Sequence, residues 1–227
     1  MLSAAADVVF SALCPFSFLL GDSVSIAFLP AQAAQSAGPL TVEHHQQIAS
    51  AHSRAAKIRS AARVATFNGW VTGAVALCSL PFAPFSIAGF LVALGLAVVT
   101  YNEFRGRKML LAYDPNAASL LGWNQVGFLG LIAAYSLWMI ADAFTGPGPF
   151  TKEFQQYPEL QQALGSAEQF QQLYRLVILA IYGSVIALSA AFQGYSACYY
   201  FTRLPIIQAY LQDTPGWIVE MQRATSK

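Results

Sequence analysis

The three longest stretches of the chain without a charged residue are 64–102, 115–141 and 176–202. The first, as one continuous helix, would extend about 58 Å at 1.5 Å per residue, roughly twice the hydrocarbon core of a bilayer, so one crossing cannot use it. Pro81 and Pro84 stand near its middle, in Leu-Pro-Phe-Ala-Pro-Phe-Ser. Proline removes a backbone donor and biases the preceding residue away from helix, so the run is predicted to fold back there. This gives a tight hairpin of two spans, about 64–80 and 85–104. The second stretch follows Asp114-Pro115, a helix start with aspartate as cap and proline in the first turn, and predicts a span over about 122–144. The third predicts a span over about 174–202, in a helix whose start at Ser166, with Gln169 three residues later, reads as a capping box.

Residues 1–40 are apolar but broken by Pro15, Gly21, Asp22 and Pro30. Ala31-Gln32-Ala33 resembles a signal-peptide cleavage site, yet no basic segment precedes it and Asp7 and Asp22 interrupt the apolar part. The segment reads as an apolar tail or a membrane-lying stretch, with a fifth, irregular span as the alternative. Residues 41–63 are Ala-rich, lack proline and glycine, and read as one basic cytoplasmic helix leading into the first span. Residues 145–165 form a polar outer loop opening on Gly-Pro-Gly-Pro. Residues 203–227 continue beyond the fourth span and include a short helix after Thr214-Pro215, on which Trp217, Ile218 and Met221 form an apolar stripe.

Composition agrees with lipid as the main solvent. Of 227 residues, 56% are hydrophobic and only 10% charged, and the mean hydropathy is +0.48. The quarter of charged residues usual in soluble domains is missing, and a net charge of +1 argues against nucleic-acid binding. The placement of charge says more than its total. Arg54, Lys57, Arg59 and Arg63 precede the first span, Arg105, Arg107 and Lys108 lie between the second and third, and Arg203, Arg223 and Lys227 follow the fourth. Only Lys152 and Arg175, of 12 basic residues, fall on the other side. The positive-inside rule then puts both ends of the bundle in the cytoplasm. Trp70, Tyr101, Trp123, Trp138, Tyr199 and Tyr200, near span ends, read either as interfacial belts or as packing residues.

Little in the chain suggests chemistry. Cys14, Cys78 and Cys198 have no paired spacing and read as small buried residues. His44, His45 and His52 all precede the first span; two imidazoles without a third ligand make a poor metal site, and no histidine is placed to hold a haem between spans. Ser184 and Ser189 have no base beside them at membrane depth. Neither a catalytic residue, a cofactor nor a metal is therefore expected. Asn68 and Gln193 are the deepest polar residues, Asn102, Glu103, Asn124 and Gln125 collect at the basic ends of the second and third spans, and Asp142 and Arg175 share the outer side, where they could pair. Such residues either join helices or line a path. Gly69 and Gly73 make a Gly-x-x-x-Gly, and Gly183, Ala187 and Ala191 a second small-residue stripe, both suited to helix packing.

The sequence thus predicts an all-α, multi-pass integral membrane bundle with four transmembrane helices, in a cell or inner membrane. Its expected role is non-catalytic: a structural or accessory subunit engaging the lipid bilayer, a membrane-protein partner or further copies of itself. An oligomeric channel or small-solute carrier is the alternative.

Overall fold

The computed structural model describes residues 40–146 and 167–225. The apolar tail, nearly all of the outer loop and the capping box at Ser166 lie outside the described residues. Within them the chain is helical throughout, with no strand: α1 (Val42–Arg54), α2 (Ala56–Ser79), a 3-10 turn (Leu80–Phe85), α3 (Ile87–Leu111), α4 (Asn116–Thr145), α5 (Ala167–Phe201), α6 (Leu204–Asp213) and α7 (Gly216–Thr225). Consecutive long helices pack antiparallel, α2 on α3, α3 on α4 and α4 on α5.

Three segments are long and apolar enough to cross a membrane: Ile87–Leu111, Asn116–Thr145 and Glu168–Asp213. Helix α2, expected to provide a span, does not reach the same standard. Its first two turns carry Lys57, Arg59 and Arg63, and Asn68, Thr72 and two glycines dilute the remainder.

Local chemistry explains most boundaries. The Leu-Pro-Phe-Ala-Pro-Phe segment takes the 3-10 turn, and Ser86 restarts the helix by accepting a hydrogen bond from the Gly89 amide at 2.9 Å. Helix α4 begins at Asn116, inside the position predicted from Asp114-Pro115, with the Asp114 carboxyl accepting from the Asn116 amide at 2.9 Å. Helix α3 ends in a Schellman turn: the Asp114 amide donates to the Met109 carbonyl, and Tyr113 takes the left-handed conformation at φ 56°. That position normally favours glycine. Tyrosine holds it because its ring stacks on Tyr210 at 4.8 Å and its hydroxyl donates to Gln222 at 2.8 Å.

The expected single helix over 41–63 is two. It breaks at Ala55, and because Ala51, Ala55 and Ile58 are all buried, the bend lets both pieces face one core. Thr41 caps α1 through the His44 amide at 3.3 Å. The core gathers at the end of the bundle that carries the basic residues, where Ile58, Leu110, Leu121, Tyr200, Ile207 and Ile218 are fully buried. Helix α7 folds onto this core by part of the predicted stripe. Ile218 faces inward with Val219 and Gln222, Trp217 stands edge-on to His44 of α1 with ring centroids 5.6 Å apart, and Met221 is exposed; Gln222 accepts hydrogen bonds from both Tyr113 and Tyr210 and so fixes the helix rotation. Away from this end the long helices expose large apolar side chains, among them Phe67, Val75, Leu94, Leu137 and Leu188. The cysteine expectation also changes: Cys78 is exposed, and Cys198, though buried, is not a free thiol.

Candidate functional site

Glu103 stands on α3 where its apolar stretch meets the basic last turns. Its side chain is 0% exposed. A carboxyl removed from water is costly unless donors surround it; two helices supply them directly and a third reaches it through a tyrosine. From α4, Asn124 Nδ2 and Gln125 Nε2 donate to the same oxygen, Oε1, at 2.9 and 2.7 Å. From α5, the Tyr200 hydroxyl donates to Oε2 at 3.4 Å, and from α2, Asn68 Nδ2 donates in turn to that hydroxyl at 3.3 Å. These last two contacts are long and weak, so the α4 amides hold the carboxyl and the tyrosine extends the network outward. The Asn124 amide is itself oriented. Its Nδ2 also donates to the Val99 carbonyl at 3.1 Å, and its Oδ1 accepts from Asn102 at 3.2 Å.

One polar cluster therefore ties all four long helices together at the level where the apolar faces begin. Its groups use one another's hydrogen-bonding capacity, and the cluster contains no histidine, lysine, cysteine or serine to form a nucleophile and base pair. Among the described residues no group of three His, Cys, Asp or Glu side chains could hold a metal ion.

Asn68 belongs to the cluster, whereas Gln193, half-buried on α5, makes no hydrogen bond to it. The two residues do not share a site. Asp142 and Arg175 lie at the same end, but the pairing their positions suggested is not formed. Arg175 Nε and one terminal nitrogen donate to the carbonyls of Ala143 and Phe144, at 3.2 and 3.3 Å, and its guanidinium lies 5.7 Å from the Phe144 ring centroid. The last carbonyls of α4 lack helical partners and carry the negative end of the helix dipole, so they draw the cation while Asp142 stays exposed.

Gly69 and Gly73 face α3 closely. A Cβ added to Gly69 would lie 3.2 Å from Phe104, and one on Gly73 3.2 Å from Thr100. The second stripe differs: Gly183 has nothing within 4 Å of an added Cβ, and Ala187 and Ala191 are exposed, so among the described residues this stripe packs against no helix. Asn102, Glu103, Asn124 and Gln125, which the sequence groups at the basic ends of the second and third spans, are joined by hydrogen bonds, and Tyr200 takes the packing reading of the two it allowed, fully buried; what the sequence did not single out is Glu103 as the hub and Tyr200 as its hydrogen-bond partner. The signal lay in two polar doublets, Asn102-Glu103 and Asn124-Gln125, at matching depth in adjacent spans. No protein-family model, no curated protein and no solved structure matches the chain.

Proposed function

We propose that this chain is a non-catalytic, multi-pass membrane protein that acts as a structural or accessory subunit, engaging lipid and other membrane helices through its outer faces. The observation that carries the reading is the internal use of its polar groups. The buried carboxyl and the amides around it are occupied by one another, while the outer surfaces are apolar. A conducting or transporting path needs polar groups facing a shared space, and Asn68 and Gln193 do not meet. The unfilled surface around Gly183, Ala187 and Ala191 suits close approach by a helix from a partner or a second copy.

Four crossings fit this reading better than three. Helix α2 runs antiparallel along α3, from Gly69 beside Glu103 to Gly73 beside Thr100, so a bilayer that surrounds α3 also surrounds α2. The exposed Phe67, Trp70, Val71, Val75 and Leu77 give α2 a lipid-compatible face. With ten basic residues at one end, that end and both chain segments entering it are assigned to the cytoplasm. Purification from the native membrane in a gentle detergent, with the mass of the particle measured by light scattering, tests the role. A particle larger than one chain is expected, and vesicles containing the protein should pass ions and small solutes no faster than empty ones. A strictly monomeric particle, or flux above the empty-vesicle rate, would overturn the proposal.

A further inference from the structure

At the basic end of the α2–α3 hairpin lies an open groove of about 380 Å³, lined by Ala56, Arg59, Ala62, Arg63 and Thr66 of α2 and by Arg107 and Leu111 of α3. The volume falls within the range of small-ligand sites, about 300–1,000 Å³. Its chemistry is one-sided: three guanidinium groups and no carboxyl line it. Arg59 and Arg63 are four residues apart and share a face of α2, and Arg107 approaches from α3. Alanines at 56 and 62 leave the space between them open. Arg59 is anchored by donating to the His52 carbonyl at 2.7 Å, a contact that places its planar group while leaving other N–H donors free. Neither Arg63 nor Arg107 is in an ion pair with a described residue. Such a set suits the oxygens of a phosphate, which guanidinium groups bind in a forked, charge-assisted manner.

A second observation selects the source of the phosphate. Arg59, Arg63, Thr66 and Trp70 fall within about 60° of one another around α2, in one line running toward the apolar part of the helix. Trp70 is 69% exposed and stands edge-on to Phe104 of α3, with ring centroids 5.9 Å apart. Phe104 is one turn from Arg107 on the same face. The crevice is thus cationic at the end assigned to the membrane surface and aromatic one to two turns deeper, the polarity order of a phospholipid. We propose that Arg59, Arg63 and Arg107 form a binding site for the phosphate of an anionic phospholipid, whose glycerol and upper acyl chains lie over Trp70 and Phe104. The inference rests on the membrane reading above and names one lipid class for it.

Binding of dioctanoyl phosphatidylglycerol and dioctanoyl phosphatidylcholine to the full chain in detergent, followed by native mass spectrometry, tests the site. Wild-type protein is expected to prefer the anionic lipid. The double variant R63Q/R107Q should lose about tenfold in affinity for it, while R54Q/K57Q, which removes equal charge outside the groove, should stay within about twofold of wild type. Equal loss in both variants would assign the preference to general surface charge and overturn the site. Inorganic phosphate that displaces the lipid would show a free-anion site and overturn the lipid assignment. Absence of any lipid preference in the wild-type protein would overturn the proposal whether or not the variants fold. Each result stands apart from the particle mass and flux measurements that test the subunit role.

Discussion

The carboxyl of Glu103 is held by two amides and a phenol, with no basic side chain bonded to it. Its contribution is therefore to be read through hydrogen bonding, and two substitutions separate the components. Glu103→Ala leaves the Asn124 and Gln125 amides and the Tyr200 hydroxyl without their acceptor, and unpaired buried groups cost about 1–3 kcal/mol each in protein interiors. Within membranes measured values are smaller, averaging about 0.6 kcal/mol per bond. A loss of about 2–4 kcal/mol is expected for Glu103→Ala. Glu103→Gln keeps one carbonyl oxygen for both amides and should lose less than about half as much. Reversible unfolding in mixed detergent checks this, and equal losses would show that the charge of the group, rather than its acceptor geometry, is what the cluster requires. The same scale shows why two readings stay open for some residues in the sequence. Trp70 and Tyr200 are both aromatic residues near span ends, yet one is exposed and the other fully buried. Spacing along one helix carries no record of which face the other helices cover.

Among elements, the α2–α3 hairpin was the most legible. Two prolines and a capping serine act through local backbone sterics and need no tertiary partner to be effective. The break at Ala55 and the rotation of α7 were not legible, because no local breaker marks either; burial of Ala51 and Ala55 decides the first and the Tyr113–Gln222–Tyr210 contacts the second. Glycines show the same division. Gly183 of α5 is the one the sequence marks for packing and Gly106 of α3, between two arginines, is not, but an added Cβ would come within 2.5 Å of Leu121 at Gly106 and meet nothing at Gly183. Gly106→Ala should therefore lower stability by about 1–2 kcal/mol, overpacking outweighing the roughly 1 kcal/mol gained in helix propensity. Gly183→Ala should leave the isolated chain unchanged or slightly more stable. Unfolding of both variants in the same detergent decides, and a destabilised Gly183→Ala monomer would mean that this face is covered within the chain.

For the molecule as a whole, the basic ends of α2, α3, α4 and α5 meet in one packed core, with α6 and α7 folded over it, while the other half presents apolar faces outward. The four-crossing topology proposed above would place this core on the cytoplasmic side. Single cysteines at Ser53 and Glu220 should then react with an impermeant maleimide only from that side, and one at Thr145 only from the other, in a background whose 3 native cysteines are replaced. Labelling of positions 53 and 220 from opposite faces would refute an even number of crossings between them. The sequence by itself determined the helical class, the long apolar segments, the proline hairpin and the gathering of basic residues at one end. All of these depend on residues near one another in the chain, or on the partition of each segment between water and lipid. Only the tertiary structure decided that Asn68, Glu103, Asn124, Gln125 and Tyr200 form one cluster, that Arg175 turns to the carbonyls of α4, and that Arg59, Arg63 and Arg107 line one groove. Those arrangements depend on the rotation of each helix about its own axis. That rotation is set by which side chains fit against which neighbours, and it leaves no periodic trace in a segment that is apolar on every face.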